Sequence, residues 1–343
     1  MKALVMEQPG RAVLADVPMP VRKPGEALLR VRRVGLCGSD LNSFRGRNPM
    51  VSFPRIPGHE VAATIVEIDA GHQNLAVGMD VTLSPYTSCG HCASCRRGRH
   101  NACQFNQTLG VQRNGALTEY ICIDATRLYP ARLSLKELCL VEPLTVGFHA
   151  VARGRVAKND TVAILGVGGV GLGAVAASAQ RGASTVAVDL DESKLTIAAH
   201  AGATHLIHAE QQKLREQLQA INAGHGPDVI IEAIGLPETF RLAVEEVAYT
   251  GRVVYIGYAK EPVSYETKLF VQKELDILGT RNAQPDDFRN VIAMLEAGHF
   301  PVDAAVSHIV SLHQAPQMLE HWSAEPRRYS KIMIDLDATS SGE

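Results

Sequence analysis

The chain has 343 residues, too many for one ordinary hydrophobic core, so two domains are expected. Hydrophobic residues make up 46% and charged residues 20%, the balance of a soluble globular protein. A formal net charge of −2 leaves no global field to draw nucleic acid or an anionic membrane, and no apolar run approaches the roughly 20 residues of a membrane span. The first ten residues, MKALVMEQPG, lack a long apolar stretch and a small-residue cleavage site, so they read as a first strand and not as a signal peptide. The seven cysteines are odd in number and unevenly spaced. That speaks against a disulfide framework and for a reducing cytoplasm with metal-bound thiolates.

In chain order, short strands separated by proline–glycine turns are expected at residues 3–6, 12–17 and 27–34. A glycine-flanked turn at 34–40 opens a short helical piece. Residues 54–57 make an extended approach to Gly58, His59 and Glu60, and a strand follows over 61–68. Turns at 69–71 and 77–81 lead to another strand. So many short strands suggest a partly closed β domain. A cysteine-rich lobe interrupts it at about 86–104, strand character returns at 115–123, and Ser134 with Glu137 marks a helix start. From about Val151 the texture changes. Strands are expected at 162–165, 186–188, 205–207, 229–232, 253–256 and 277–278, with helices at 194–201, 211–222 and 237–248. Six strands with helical crossovers make a doubly wound parallel sheet of the α/β class. A helix at 285–297 and a last strand at 331–336 are expected to fold back onto the first domain. The expected domains are therefore 1–148 with 282–343, and 149–281. The tail 338–343 is of low complexity.

Residues 161–191 read TVAILGVGGVGLGAVAASAQRGASTVAVDLD. Strand, glycine turn, small-residue helix, strand and acid follow in the order that dinucleotide binding requires. Gly166 permits the tight turn, Gly168 lets the backbone approach a pyrophosphate, and Gly171 lets the helix pack on the strand. Gly169 and Val170 complete the loop at the helix N-terminus, which faces the phosphate charge. Asp189 stands at the distance that suits ribose hydroxyls. It would repel a 2′-phosphate and no arginine follows it directly, which favours NAD over NADP.

Two metal sites are expected. Cys89, Cys92, Cys95 and Cys103 are spaced to close a tetrahedron of thiolates around a structural zinc; an iron–sulfur cluster is the other reading of the same spacing. Cys37, His59, Glu60 and Glu142 are each weak signals alone, but each lies at a glycine or proline turn. A catalytic zinc takes about three protein ligands plus water or substrate, and Cys37, His59 and one carboxylate meet that need. Cys122 and Cys139 read as core packing, and His149 as a buried structural histidine.

The motifs GLCGSD, PGHE, CGHCASCRRGRHNAC, LVEPLTVG and GVGGVG, in this order across nearly the whole chain, resemble the zinc-dependent medium-chain alcohol and polyol dehydrogenases. The resemblance implies a GroES-like, mainly β catalytic domain and a Rossmann domain, with a cleft between them. It implies Cys37, His59 and Glu142 as catalytic zinc ligands and Glu60 as a carboxylate that exchanges with water at the metal. The LVEPL form is similar to the sorbitol and threonine dehydrogenase branch. Ser39 matches the family's proton-relay hydroxyl, with a helix cap as its other reading. Relatives commonly carry histidine where Asn42 stands, and asparagine does not titrate, so the relay must end differently here. Family resemblance also implies a homodimer or homotetramer.

The run GTRNAQPDDF at 279–288 is similar to one in bacterial sugar-acid dehydrogenases acting on L-galactonate or L-gulonate at C5. Arg281 and Asn282 are therefore candidate substrate contacts, with a helix cap or ion pair as the equal alternative for Arg281. Arg113 is a further candidate for a substrate carboxylate. The alternatives are a sorbitol-type polyol dehydrogenase, an L-threonine 3-dehydrogenase, and a nucleotide-binding protein without turnover.

Overall fold

The structure is a computed structural model that describes residues 1–72, 74–209 and 213–338. It divides into two compact units. The first comprises Met1–Glu142, Phe288–Ala297 and the chain from Val302 onward; the second comprises Pro143–Asp287 and Gly298–Pro301.

The first unit opens with the antiparallel pair β1 (Lys2–Gln8) and β2 (Arg11–Asp16). The 11-residue β3 (Glu26–Leu36) leads to helix α1 (Gly38–Phe44), followed by β4 (Glu60–Glu67), β5 (Asp80–Leu83), β6 (Tyr120–Asp124) and β7 (Leu128–Pro130). β3 organises this unit. It pairs antiparallel with β4 along its length and with β6 over Glu26–Arg30, and its register against β4 slips at Leu28/Leu29 and Val31/Arg33. Such irregularities bend a strand, which lets one strand serve several neighbours. Leu4, Leu29, Val34, Ile65, Leu83, Leu117 and Ile123 form its core.

Helix α2 (Leu135–Arg153) carries Pro143 in its interior and passes from one unit into the next. The second unit then alternates β8 (Thr161–Leu165), α3 (Gly169–Gln180), β9 (Ser184–Asp189), α4 (Glu192–His200), β10 (His205–His208), α5 (Leu214–Ala220), β11 (Val229–Glu232), α6 (Pro237–Glu246), β12 (Arg252–Tyr255), α7 (Lys268–Gln272) and β13 (Asp276–Gly279). All six strands are parallel in the order β10-β9-β8-β11-β12-β13, the doubly wound sheet expected. Every residue of β8 is buried, which explains its unbroken apolar run. Helices α2 and α3 cross almost in contact. A Cβ on Gly147 would lie 2.2 Å from Ala174 N, and one on Gly173 would lie 2.4 Å from Leu144 O.

Helix α8 (Pro285–Glu296) leads back to the first unit, where α9 (Val302–Ala305), β14 (His308–Ser311), α10 (Ala315–Ala324) and β15 (Ile332–Asp335) complete a seven-stranded sheet, ordered β14-β15-β3-β4-β5-β7 with β6 also paired to β3. β15 lies antiparallel to β3, with Ile332 opposite Leu36.

Several expectations shift. The partition falls inside α2 and inside α8, not at 148 and 281, because the chain crosses between units as helix and no linker composition marks the place. Glu60 is the first residue of β4, and Glu142 lies within α2; neither sits in a turn. β7, β14 and α10 were not foreseen. The buried Ala315, Met318, Leu319 and Trp322 of α10 do carry helical spacing, so that signal was present. The start of the helix expected at 211–222 and most of the tail expected at 338–343 lie outside the described residues.

Candidate functional site

The turn between β3 and α1 places Cys37 at the helix start. Asp40 fixes it: its buried carboxylate accepts Cys37 N–H at 2.9 Å and Gly58 N–H at 3.2 Å. One side chain thus ties the Cys37 turn to the segment that carries His59. The Nδ1 of His59 lies 3.9 Å from Asp40 Oδ1, is buried, and has no hydrogen-bond partner. Glu60 is fully buried opposite Gly35 of β3, and a Cβ on Gly35 would stand 2.1 Å from Glu60 Oε2. Glycine there makes the space that the carboxylate fills.

Ligand atoms of Cys37, His59 and Glu60 lie within 4.8 Å of one another. Glu142, 3% exposed, adjoins this trio and receives a hydrogen bond from the Tyr86 hydroxyl. Lys331, just before β15, donates to both Glu60 oxygens at 2.7 Å and to Leu36 O at 3.2 Å. The electrostatics follow from crowding acids in a dry place. Burial works against a charged His59, yet Asp40, Cys37 and Glu142 hold its pKa well above the ordinary value. Burial, aided by Glu60, pushes the Glu142 carboxyl up. Burial likewise opposes the Lys331 charge, and Glu60 outweighs it to raise the ammonium. A thiol, an imidazole with an orphaned nitrogen and two buried carboxylates form a donor set with excess negative charge. That is the set a divalent zinc fits.

The four lobe cysteines also come together, again with ligand atoms within 4.8 Å. Backbone N–H groups of Cys89, Cys92 and Phe105 point at sulfur atoms, each at 3.3 Å. Ser94 and the amides of Cys95 and Gln104 draw the Cys92 thiol down to about 5, while burial and the neighbouring thiols push Cys95 up to about 11. Four thiols so close cannot all ionise unaided, and a tetrahedral dication removes that conflict.

In the second unit, Gly166 turns with φ +87°, and a Cβ on Gly171 would lie 1.9 Å from Gly166 O. Gly168 differs: a Cβ there meets nothing within 4 Å, so it stands beside open space. Gly169 and Val170 begin α3. Asp189 ends β9. Its carboxylate accepts Val167 N–H at 2.9 Å, Leu190 N–H at 2.8 Å and Asp191 N–H at 3.1 Å, so it braces the glycine loop.

Other residues are placed less centrally. Ser39 and Asn42 lie on α1, two and five residues after Cys37. Arg113 does not join the trio: its Nη2 donates to Pro85 O at 3.4 Å, and burial and nearby Arg127 lower its pKa to about 10. Arg281 is exposed just after β13 in the second unit, Asn282 adopts φ +52°, and both engage neighbouring groups. His149 is buried with Nδ1 2.9 Å from Asp287 Oδ2. Asp40, Tyr86 and Lys331 were missed. Only Asp40 carried a short-range signal, inside GLCGSD.

Comparison with known proteins agrees with this architecture. Residues 23–133 match the alcohol dehydrogenase GroES-like domain, and residues 169–297 match the zinc-binding dehydrogenase domain. Sorbitol dehydrogenase of Bacillus subtilis is 33% identical over 342 residues, covering 97% of each chain. L-galactonate-5-dehydrogenase of Escherichia coli is 30% identical over 309 residues, covering 90% of this chain and 91% of that one. A crystal structure of an alcohol dehydrogenase from Escherichia coli CFT073 complexed with NADH superposes with a TM-score of 0.90 at 26% identity, over 98% of this chain and 99% of that one. The chain belongs to the zinc-type medium-chain alcohol dehydrogenases, in their polyol and sugar branch. It is an enzyme that oxidises alcohols.

Proposed function

We propose that the protein oxidises a secondary alcohol of a sugar acid, a hexonate such as L-galactonate or L-gulonate at C5, to the keto acid with NAD as acceptor. The gathering of Cys37, His59 and Glu60 beside Glu142 carries the reaction class. Cys37, His59 and one of the two carboxylates would hold the ion; bound there, zinc lowers the pKa of a substrate hydroxyl toward neutrality. Asp40 sets where the imidazole stands by tying the Cys37 turn to Gly58, the residue before His59. Ser39 receives the alcohol proton and passes it outward through water, since Asn42 cannot titrate. In the second unit the Gly166–Gly171 turn and the start of α3 bind the pyrophosphate, and Asp189 accepts the ribose hydroxyls and repels a 2′-phosphate. Cys89, Cys92, Cys95 and Cys103 hold the structural ion.

The likeness to L-galactonate-5-dehydrogenase supports the hexonate, and the likeness to sorbitol dehydrogenase supports a polyol as the second reading. Arg281 and Asn282 are the residues we assign to the carboxylate. Steady-state formation of NADH across hexonates, polyols and L-threonine separates these. The hexonates are expected to give the highest kcat/KM, lowered by Arg281→Ala. Faster turnover of sorbitol moves the enzyme to the polyol reading. Silence across the panel with two zinc ions per chain places the substrate outside these three classes of alcohol.

A further inference from the structure

Tyr86 belongs to neither cysteine-bearing metal set, yet its side chain meets Glu142 and its chain neighbours are bonded to the segment that leaves the four-thiol lobe. Its hydroxyl donates to Oε1 of Glu142. Its own loop, between β5 and Cys89, is stapled to the chain that leaves the four-thiol lobe. Leu109 N–H donates to Pro85 O at 3.0 Å, Thr87 N–H to Asn106 Oδ1 at 3.0 Å, and Gln107 N–H to Thr87 Oγ1 at 2.6 Å. Phe105 N–H on Cys103 Sγ continues the series into the lobe. The entry and exit of the lobe are therefore zipped together on either side of Tyr86, and the four cysteines form the closed end of the zipper.

We propose that Tyr86 is a positioning residue for the site of Cys37, His59, Glu60 and Glu142: the phenol fixes the Glu142 carboxylate, and the four-thiol lobe fixes the phenol. This rests on reading that site as a zinc centre. A carboxylate rotates freely about its side-chain bonds; a donor held against one oxygen removes that freedom. The structural metal then has a consequence beyond its own lobe. Loosening the lobe releases Tyr86, and with it the second carboxylate of the other site.

The test uses the metal-loaded enzyme. Tyr86→Phe keeps the ring and removes the donor. Zinc release to a chromogenic chelator is followed alongside the visible spectrum of cobalt substituted for zinc. One of the two ions is expected to leave about 10- to 100-fold faster, the size typical for loss of an outer-shell partner, with the thiolate-bound ion unaffected. The cobalt bands of the mixed-ligand site should shift. Asn106→Ala together with Thr87→Ala removes the two side-chain bonds of the staple with Tyr86 intact and is expected to act in the same direction. Two ions per chain with unchanged release and spectrum in Tyr86→Phe overturn the proposal and leave the zinc reading standing. An effect of Tyr86→Phe without one of the Thr87→Ala and Asn106→Ala pair overturns the link to the lobe. A single ion confined to the four thiolates in native protein removes both readings.

Discussion

Single side chains decide how much negative charge the first unit tolerates in its interior. Glu60 and Lys331 are 0% and 7% exposed at the side chain, so neither can be satisfied by water. Removing one partner of such a pair strands the other. Lys331→Met is expected to lower stability by about 3–5 kcal/mol, read from urea unfolding of chelated protein. A loss below about 1 kcal/mol would mean that Glu60 simply takes up a proton. A half-buried group predicts a pH dependence. Tyr255 donates to Phe240 O at 2.9 Å and accepts from Tyr265 at 3.3 Å. Burial, with Tyr265 beside it, pushes its phenol well up. The folded chain therefore keeps a proton that the unfolded chain releases. Its contribution to stability is complete below the unfolded value of about 10 and is lost as pH rises above it. Urea midpoints should fall between about pH 9 and 11, and Tyr255→Phe should flatten that fall.

Among the elements, the crossing of α2 and α3 has no room for a methyl group. A Cβ at Gly147 meets Ala174 N at 2.2 Å and Val170 O at 2.5 Å, both backbone atoms that cannot rotate away. Gly147→Ala should destabilise by about 1–3 kcal/mol, the usual cost of overpacking. Because α3 begins in the glycine loop, NADH affinity should fall with the melting temperature; a stable variant with native affinity would show that the helices separate without strain. The strand–turn–helix at β8 and α3 was legible because its contacts are local and its apolar run has one explanation. α2 was legible only at its start: LVEPL suggested a proline turn, whereas the helix continues through Pro143 to Arg153. Burial on several sides outweighed the local cost of proline.

At the scale of the molecule, each unit has its own sheet and its own core. Both cysteine-bearing sites lie in the first unit, and the glycine loop with Asp189 lies in the second. Chelation should therefore abolish alcohol oxidation while NADH fluorescence still reports binding. Loss of NADH binding together with the metal would show that the second unit depends on the first for its fold.

What the chain by itself determined is the chemistry that short spacing carries. The thiolate quartet and the glycine turn announce themselves within a short stretch, because turns and ligand spacing are local, whereas Cys37, His59 and Glu60 were weak alone and stood out through their placement at turns and the order of the motifs around them. Tertiary structure decided what surrounds them. Lys331 reaches Glu60 across 271 residues, and Tyr86 reaches Glu142 across 56. No periodicity records such meetings. They exist because β15 returns to lie against β3, and because the loop after β5 is closed by the lobe that follows it.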